Sequence, residues 1–193
     1  ADTKIRLTDG RNLNFLELIQ EWKANKKNYT FTVSKEGKIK IAEIKFPTKT
    51  KSNEKLIKIT LDNGKEIKCT LNHPFLLKEG VYKEAQNLQS GESLMPAYTR
   101  CSTAKDDKDA IGYEMVYQPI LNRWSFCHHL ADRYNIANKK YSIKAGKVRH
   151  HRDLNKLNNN PENVVRMQWK EHWLLHANLA SEKHKTDADY RRK

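Results

Sequence analysis

The first half of the chain alternates apolar and polar residues over short runs. The segments TKIRL, YTFTV, KIKIAEIKF and LIKITL are rich in β-branched residues, and DG, EG and DNG separate them. A period of two is typical of half-buried strands, and Gly-containing pairs such as these favour tight turns. The stretch LIKITLDNGKEIKCTL, residues 56–71, therefore predicts a β-hairpin.

Helical spacing appears at three places. Apolar residues recur at near-helical intervals between Leu13 and Trp22, in RWSFCHHLADRYN at 123–135 and in QWKEHWLLHANLA at 168–180. Between the last two segments, KVRHH predicts a short strand. NNNPENVVRM then predicts a polar loop that turns at Pro161 into a second strand.

These elements predict an α+β protein with two domains. Residues 1–97 form a β-rich domain with one helix, and residues 113–193 form a mainly helical domain with a strand–loop–strand–helix core at about 147–180. The segment between them, residues 98–112, is polar and lacks apolar periodicity, which indicates a linker. A chain of 193 residues is long enough for two modest cores.

The charge balance favours a polyanionic partner. Lys and Arg number 37 against 23 Asp and Glu, which gives a formal charge of +14, and the excess is shared by both halves. Such a field attracts nucleic acid, although a lysine-rich solubilising surface is the simpler alternative. Three cysteines without CxxC spacing, no run long enough for a membrane helix and no signal peptide favour a cytoplasmic protein.

Histidines concentrate in the second half, which holds seven of the eight. Neighbouring residues of a strand point to opposite sides, so His150 and His151 are expected to have different tasks. His172 and His176 lie four apart on the predicted helix, so their rings emerge from one face and can bind one ion. One member of the strand pair can therefore join a metal site while the other faces substrate.

The stretch HHRDLNKLNNNPENVVRMQWKEHWLLHA resembles the HNH (ββα-metal) endonuclease motif. The resemblance implies that His151 is the general base and that His150, His172 and His176 are metal ligands. It also implies that Asn163 orients the base or shapes the loop. His128, His129 and His184 are expected to be structural or to contact DNA.

Phosphodiester hydrolysis suits these residue types. Neutral histidine can accept a proton from water near pH 7, and a divalent ion stabilises charge on the phosphate. Three imidazoles suit Zn, Ni or Mn better than Mg, so one divalent ion of uncertain identity is expected. A closed zinc site that only stabilises the fold is the alternative. The basic residues expected to contact double-stranded DNA are Lys139, Lys140, Lys144, Lys147, Arg149 and Arg152.

The stretch TLNHPFLL resembles a conserved block of the Hint domain of inteins, and ADTKIRLTDGR resembles the block that opens such domains. The resemblance covers about residues 1–97 and implies a β-rich horseshoe in which Thr70 and His73 form the TxxH motif. That motif activates a peptide bond for acyl transfer. Ala1 is neither Cys nor Ser, and the final residues lack a His-Asn pair. The chain is therefore expected not to splice as it stands, either as a fragment that lacks both splice junctions or as a form that cannot splice.

Together the two resemblances imply a site-directed DNA endonuclease of homing type associated with an intein-like domain. The implied partners are double-stranded DNA and flanking host-protein segments, the exteins, with no membrane. The implied setting is the cytoplasm of a prokaryotic or phage-infected cell. Two alternatives stay open. The chain is primarily a self-processing domain whose nuclease has decayed, or it is a DNA-binding module whose metal is structural.

Overall fold

Antiparallel strand pairs dominate the architecture. The structure is a computed structural model that describes residues 3–50 and 53–190. Ala1, on which the expectation about splicing partly rests, and the last three residues lie outside this range. No helix among the described residues has the length and apolarity that a membrane crossing requires.

Within the described residues, the first half contains four hairpins, one α-helix and a short 3-10 helix at Ala85–Asn87. The hairpins are β1 (Lys4–Arg6) with β2 (Asn12–Asn14), β3 (Tyr29–Val33) with β4 (Ile39–Glu43), β5 (Leu56–Thr60) with β6 (Glu66–Thr70), and β7 (Pro74–Leu76) with β8 (Tyr82–Glu84). The helix α1 (Phe15–Lys23) begins at Asn14, whose side chain accepts hydrogen bonds from the Leu16 and Glu17 amides. The predicted hairpin at 56–71 and the predicted helix are confirmed.

The second half contains a three-stranded sheet, a strand pair and two helices. The sheet has the order β11 (Arg123–Phe126), β10 (Glu114–Gln118), β9 (Thr99–Cys101), and it leads into α2 (Cys127–Ala137). The strand pair is β12 (Val148–His151) with β13 (Val164–Met167), and α3 (Trp169–Thr186) follows. The predicted strand–loop–strand–helix order is confirmed.

Two sequence expectations need correction. The second half is not mainly helical, because β10 and β11 form a three-stranded sheet with β9 from the predicted linker. The apolar residues of these short strands are unevenly spaced, so the sequence pattern did not predict the sheet. Residues 123–126, predicted to be helical, pair with β10 instead. Pairing with β10 in a hairpin overrode the helical spacing at Trp124, whereas Cys127 begins the helix α2.

The main hydrophobic core draws on both sides of the predicted linker. Its buried residues come from β3, β4, β10, α2 and β13, and they are Tyr29, Ile39, Ile41, Val116, Cys127, Leu130, Ala131 and Val164. The predicted linker also contributes β9, which pairs with β10. The boundary at 98–112 therefore does not coincide with a boundary of the buried core.

A buried ion pair joins α2 to the β12–β13 pair. Asp132 is 1% exposed, and its two carboxylate oxygens each lie 2.7 Å from an Arg166 nitrogen, one from Nε and the other from a terminal nitrogen. Arg149 Nε lies 3.2 Å from the same carboxylate. Burial alone would raise the pKa of Asp132, but hydrogen bonds from the two arginines hold it below its usual value.

We predict that Asp132→Asn lowers the free energy of unfolding by about 3 kcal/mol, because it leaves the Arg166 guanidinium buried without a counter-charge. Chemical denaturation of both proteins measures the difference. The matched control is Asp106→Asn, since Asp106 also holds a two-bond pair, with Arg100, but at the surface. Equal losses in the two variants would contradict this role of burial.

Candidate functional site: a histidine cluster on a strand pair and a helix

The register of β12 against β13 separates the two adjacent histidines. His151 lies opposite Val164, and His150 lies opposite Val165. Directly opposed residues share a face of the pair, and Val164 belongs to the main core. His151 therefore faces the core side with Arg149 and Arg166, and His150 faces the other side.

The helix α3 supplies the partners of His150. Its first turn is fixed by Glu171, whose carboxylate accepts the Gln168 amide at 2.9 Å and lies favourably at the positive end of the helix dipole. The ring centroids of His172 and His176 are 4.5 Å apart, and each lies 5.3 Å from that of His150. One nitrogen from each ring lies within 4.8 Å of the other two.

The surroundings of His150 and His172 favour the neutral form of these two rings. Burial, then the neighbouring His172 and His176, lower the pKa of His150, and burial, then His176, lower the pKa of His172. A neutral imidazole keeps a lone pair on one nitrogen, which is the form that binds a metal. The donor set fits a borderline divalent ion such as Zn²⁺, with positions left open for other ligands.

His151 lies on the opposite side of β12 in a crowded aromatic surrounding. It is 4% exposed, and its ring centroid lies 5.5 Å from that of His128 and 5.7 Å from that of Tyr113. Its Nε2 lies 3.3 Å from Oδ1 of Asn159. Burial lowers the pKa of His151, although the contact with Asn159 partly opposes the shift.

The structure gives Asn163 one of the two roles expected for it. Its amide nitrogen donates to Asp153 Oδ1 at 2.8 Å and to the Asn158 carbonyl at 2.9 Å, so it shapes the loop between β12 and β13. The side chain that contacts the His151 ring is Asn159. Of the two roles expected for Asn163, the structure therefore shows the shaping of the loop, and the contact with the ring comes from Asn159, four residues earlier.

Asn159 and its partner Glu114 were missed in the sequence. Asn159 is one of three consecutive asparagines, any of which can shape a polar loop, and only its full burial distinguishes it. Glu114 lies 45 residues away on β10. The run of asparagines indicated a polar loop, but the spacing of residues within the loop carries no information on the contact with Glu114.

The predicted basic residues divide into two groups. Lys139, Lys140, Lys144, Lys147 and Arg152 are exposed, whereas Arg149 is partly buried and pairs with Asp132. Arg149 is thus engaged within the fold. The other five remain free to face a phosphate backbone.

Thr70 and His73 lie together in the first half, where β6 turns towards β7. The His73 amide donates to the Thr70 carbonyl at 3.1 Å, and the His73 carbonyl accepts from the Ala85 amide at 2.8 Å. The His73 ring is exposed and packs edge-on against Phe75, with centroids 5.3 Å apart. The turn therefore presents the histidine at the surface.

Comparison with known proteins adds the class to which this arrangement belongs. The family model described as the intein splicing domain matches residues 5–189. The match covers nearly the whole chain, so the chain belongs to the intein splicing domain family.

Two relatives were also found. The DNA gyrase B protein of Synechocystis sp. is 43% identical over 177 residues, which are 91% of this chain and 16% of that protein. The replication factor C small subunit of Methanocaldococcus jannaschii is 28% identical over 124 residues, 63% of this chain and 7% of that protein. The chain spans less than a fifth of the length of either relative. Neither relative is named as a nuclease.

Proposed function

We propose that this intein-family chain carries a metal-dependent DNA endonuclease site of the HNH type in its second half. The observation that supports the proposal best is the convergence of His150, His172 and His176, whose ligand atoms lie within 4.8 Å of one another. A strand pair and a helix hold them in the ββα order. His151 lies next to them in sequence and faces the other side of β12.

The proposed chemistry assigns one task to each group. A divalent ion held by the three imidazoles would supply positive charge to the scissile phosphate and to the leaving oxygen. His151 accepts a proton from water as the water oxygen forms a new bond to phosphorus. The bond from phosphorus to the sugar oxygen breaks, and that oxygen takes up a proton from solvent.

Double-stranded DNA is the proposed substrate. The chain carries a formal charge of +14, and five of the six basic residues singled out near the site are exposed. Contacts of Lys and Arg with phosphates provide affinity without reading sequence. A target for site-directed cleavage in the manner of a homing endonuclease is part of the same proposal.

Protein self-processing is the second candidate function, and the family match favours it more directly than cleavage of DNA. The exposed His73 beside the Thr70 turn supports it, because a surface histidine can approach a peptide bond at a splice junction. In this alternative the histidine cluster is a decayed nuclease or serves only DNA binding. The flanking host-protein segments would then be the substrate.

We predict that His151→Ala abolishes DNA cleavage and retains metal binding, because the base does not coordinate the ion. His172→Ala should weaken binding of Zn²⁺ or Mn²⁺ by about 100-fold or more, since even outer-shell partners of a metal contribute 10- to 100-fold. Calorimetry measures binding, and plasmid nicking measures cleavage.

His73→Ala is the matched control for these two variants, because His73 is an exposed histidine in the first half, outside the cluster. It should change neither property. Loss of metal by His151→Ala, together with full activity of His172→Ala, would overturn the assigned roles. A purely structural His151 would lower stability in the variant and leave the cleavage rate of its folded fraction unchanged.

We predict that affinity for duplex DNA falls steeply with salt. Each neutralised phosphate contributes a slope of about −0.9 in log K against log salt. Replacing the exposed Lys144 and Lys147 by Gln should make the slope less negative by about 2 if both contact phosphates. Fluorescence anisotropy at several salt concentrations provides the measurement. A flat response of the unsubstituted chain would contradict a role of its charge in binding DNA.

We predict that His73 promotes peptide cleavage at an upstream junction. A reporter joined through a Cys-containing lead-in should be released by dithiothreitol, and His73→Ala should slow the release by about 100-fold, as expected for loss of an acid–base group. Electrophoresis follows the release. His129→Ala, which changes a histidine in the second half, should release the reporter at the original rate, and equal slowing in both variants would argue against the TxxH assignment.

A further inference from the structure

We propose that Glu114 is a positioning residue that acts through the Asn159 side chain to fix which ring nitrogen of His151 carries hydrogen. The inference rests on the proposed role of His151 as the base. Glu114 lies outside the HNH-like stretch at 147–180, on β10 of the neighbouring sheet.

The three side chains form a continuous buried line. Asn159 is fully buried, Glu114 is 3% exposed and His151 is 4% exposed. Asn159 Nδ2 lies 3.0 Å from Glu114 Oε2, and Asn159 Oδ1 lies 3.3 Å from His151 Nε2. The other carboxylate oxygen of Glu114 accepts from a terminal nitrogen of Arg6 at 2.7 Å.

The ion pair of Arg6 with Glu114 sets the direction of the hydrogen bonds from Glu114 to Asn159 and from Asn159 to His151. Arg6 can only donate, so Oε1 of Glu114 accepts, and the carboxylate of such an ion pair carries no hydrogen with which Oε2 could donate. The group that Asn159 turns towards Glu114 must therefore be its amide NH₂, and its carbonyl oxygen is left to face His151. A carbonyl oxygen can only accept, so His151 Nε2 must carry the hydrogen.

These hydrogen-bond directions determine which nitrogen of the His151 ring can accept a proton. A neutral imidazole has one N–H nitrogen and one lone-pair nitrogen. With hydrogen on Nε2, the lone pair lies on Nδ1, which becomes the atom that accepts a proton from water. Glu114 thus selects the basic atom of His151 without touching it.

The backbone of Asn159 is also held in place, which keeps its side chain between Glu114 and His151. Its N–H donates to the Thr8 carbonyl at 2.7 Å, and its side-chain NH₂ also lies 3.3 Å from the Leu157 carbonyl. Thr8 is fully buried. The segment that contains Arg6 and Thr8 therefore holds the Glu114 end and the middle of this line, through Glu114 and Asn159.

Glu114→Gln is the direct test, because glutamine keeps the shape but adds an NH₂ group that can also donate. Asn159 can then turn over, and both hydrogen positions on His151 become accessible. The expected result is a cleavage rate constant about 100-fold lower at unchanged KM, near the lower limit of what general-base catalysis contributes. A purely structural role would instead lower the folded fraction.

Nitrogen NMR of the full chain labelled with ¹⁵N-histidine reads the hydrogen position without any cleavage. The unsubstituted chain should show an N–H-type shift for His151 Nε2 and a lone-pair-type shift for Nδ1, with His151→Gln providing the assignment. Glu114→Gln should move both shifts towards averaged values. Glu92→Gln is the matched control, since Glu92 also forms an ion pair, with Lys83, but in the first half. It should leave both shifts unchanged.

If Glu114→Gln does not fold, Asn159→Ser provides a second variant. It shortens the link between Glu114 and His151 and should also move the two nitrogen shifts towards averaged values. An Nδ1–H form in the unsubstituted chain, or unchanged shifts in the folded variants, would overturn the inference. Absence of cleavage by the unsubstituted chain with every divalent metal would instead remove the proposed nuclease function. The NMR experiment therefore tests the role of Glu114, and the cleavage assay separately tests the proposed nuclease function.

Discussion

The pairing register of β12 and β13 is the constraint on which the site depends. Because the side-chain period of a strand is two, a slip by one residue would exchange the faces of His150 and His151. His150 would then leave the two histidines of α3, and His151 would leave Asn159. Asp132 opposes such a slip, since its carboxylate binds Arg166 and Arg149, which are themselves opposed across the pair. The buried ion pair of Asp132 thus fixes the register of β12 against β13, which the hydrogen bonds between the strands alone do not specify.

The two halves of the chain meet at this strand pair. Val164 packs into the same core as Tyr29, Ile39 and Ile41 from the first half, and the Asn159 amide binds the Thr8 carbonyl. This agrees with the continuous family match over residues 5–189. A site appended to a scaffold would leave the scaffold core complete without it. Here the strand that follows the loop is part of that core, so the stability of the first half depends on the second.

Local patterns in the sequence predicted local structure well. The hairpin at 56–71, the helix α1 and the strand–loop–strand–helix order each rest on interactions within a few dozen residues. The sheet β9–β10–β11 was not predicted, because β9 has three residues and β11 shares its apolar spacing with the following helix. The opposed directions of His150 and His151 followed from strand geometry. The contact of Asn159 with Glu114 did not, since it links residues 45 apart in different parts of the fold.

The proposed metal centre consists of His150, His172 and His176 and excludes His151. Anomalous diffraction at the zinc edge from crystals of the chain grown with Zn²⁺ tests it most directly. We expect one strong peak at about 2.0–2.1 Å from a nitrogen of each of the three rings, with no bond to His151. A peak bound by His151, or crystals with zinc bound elsewhere and none at the cluster, would contradict it.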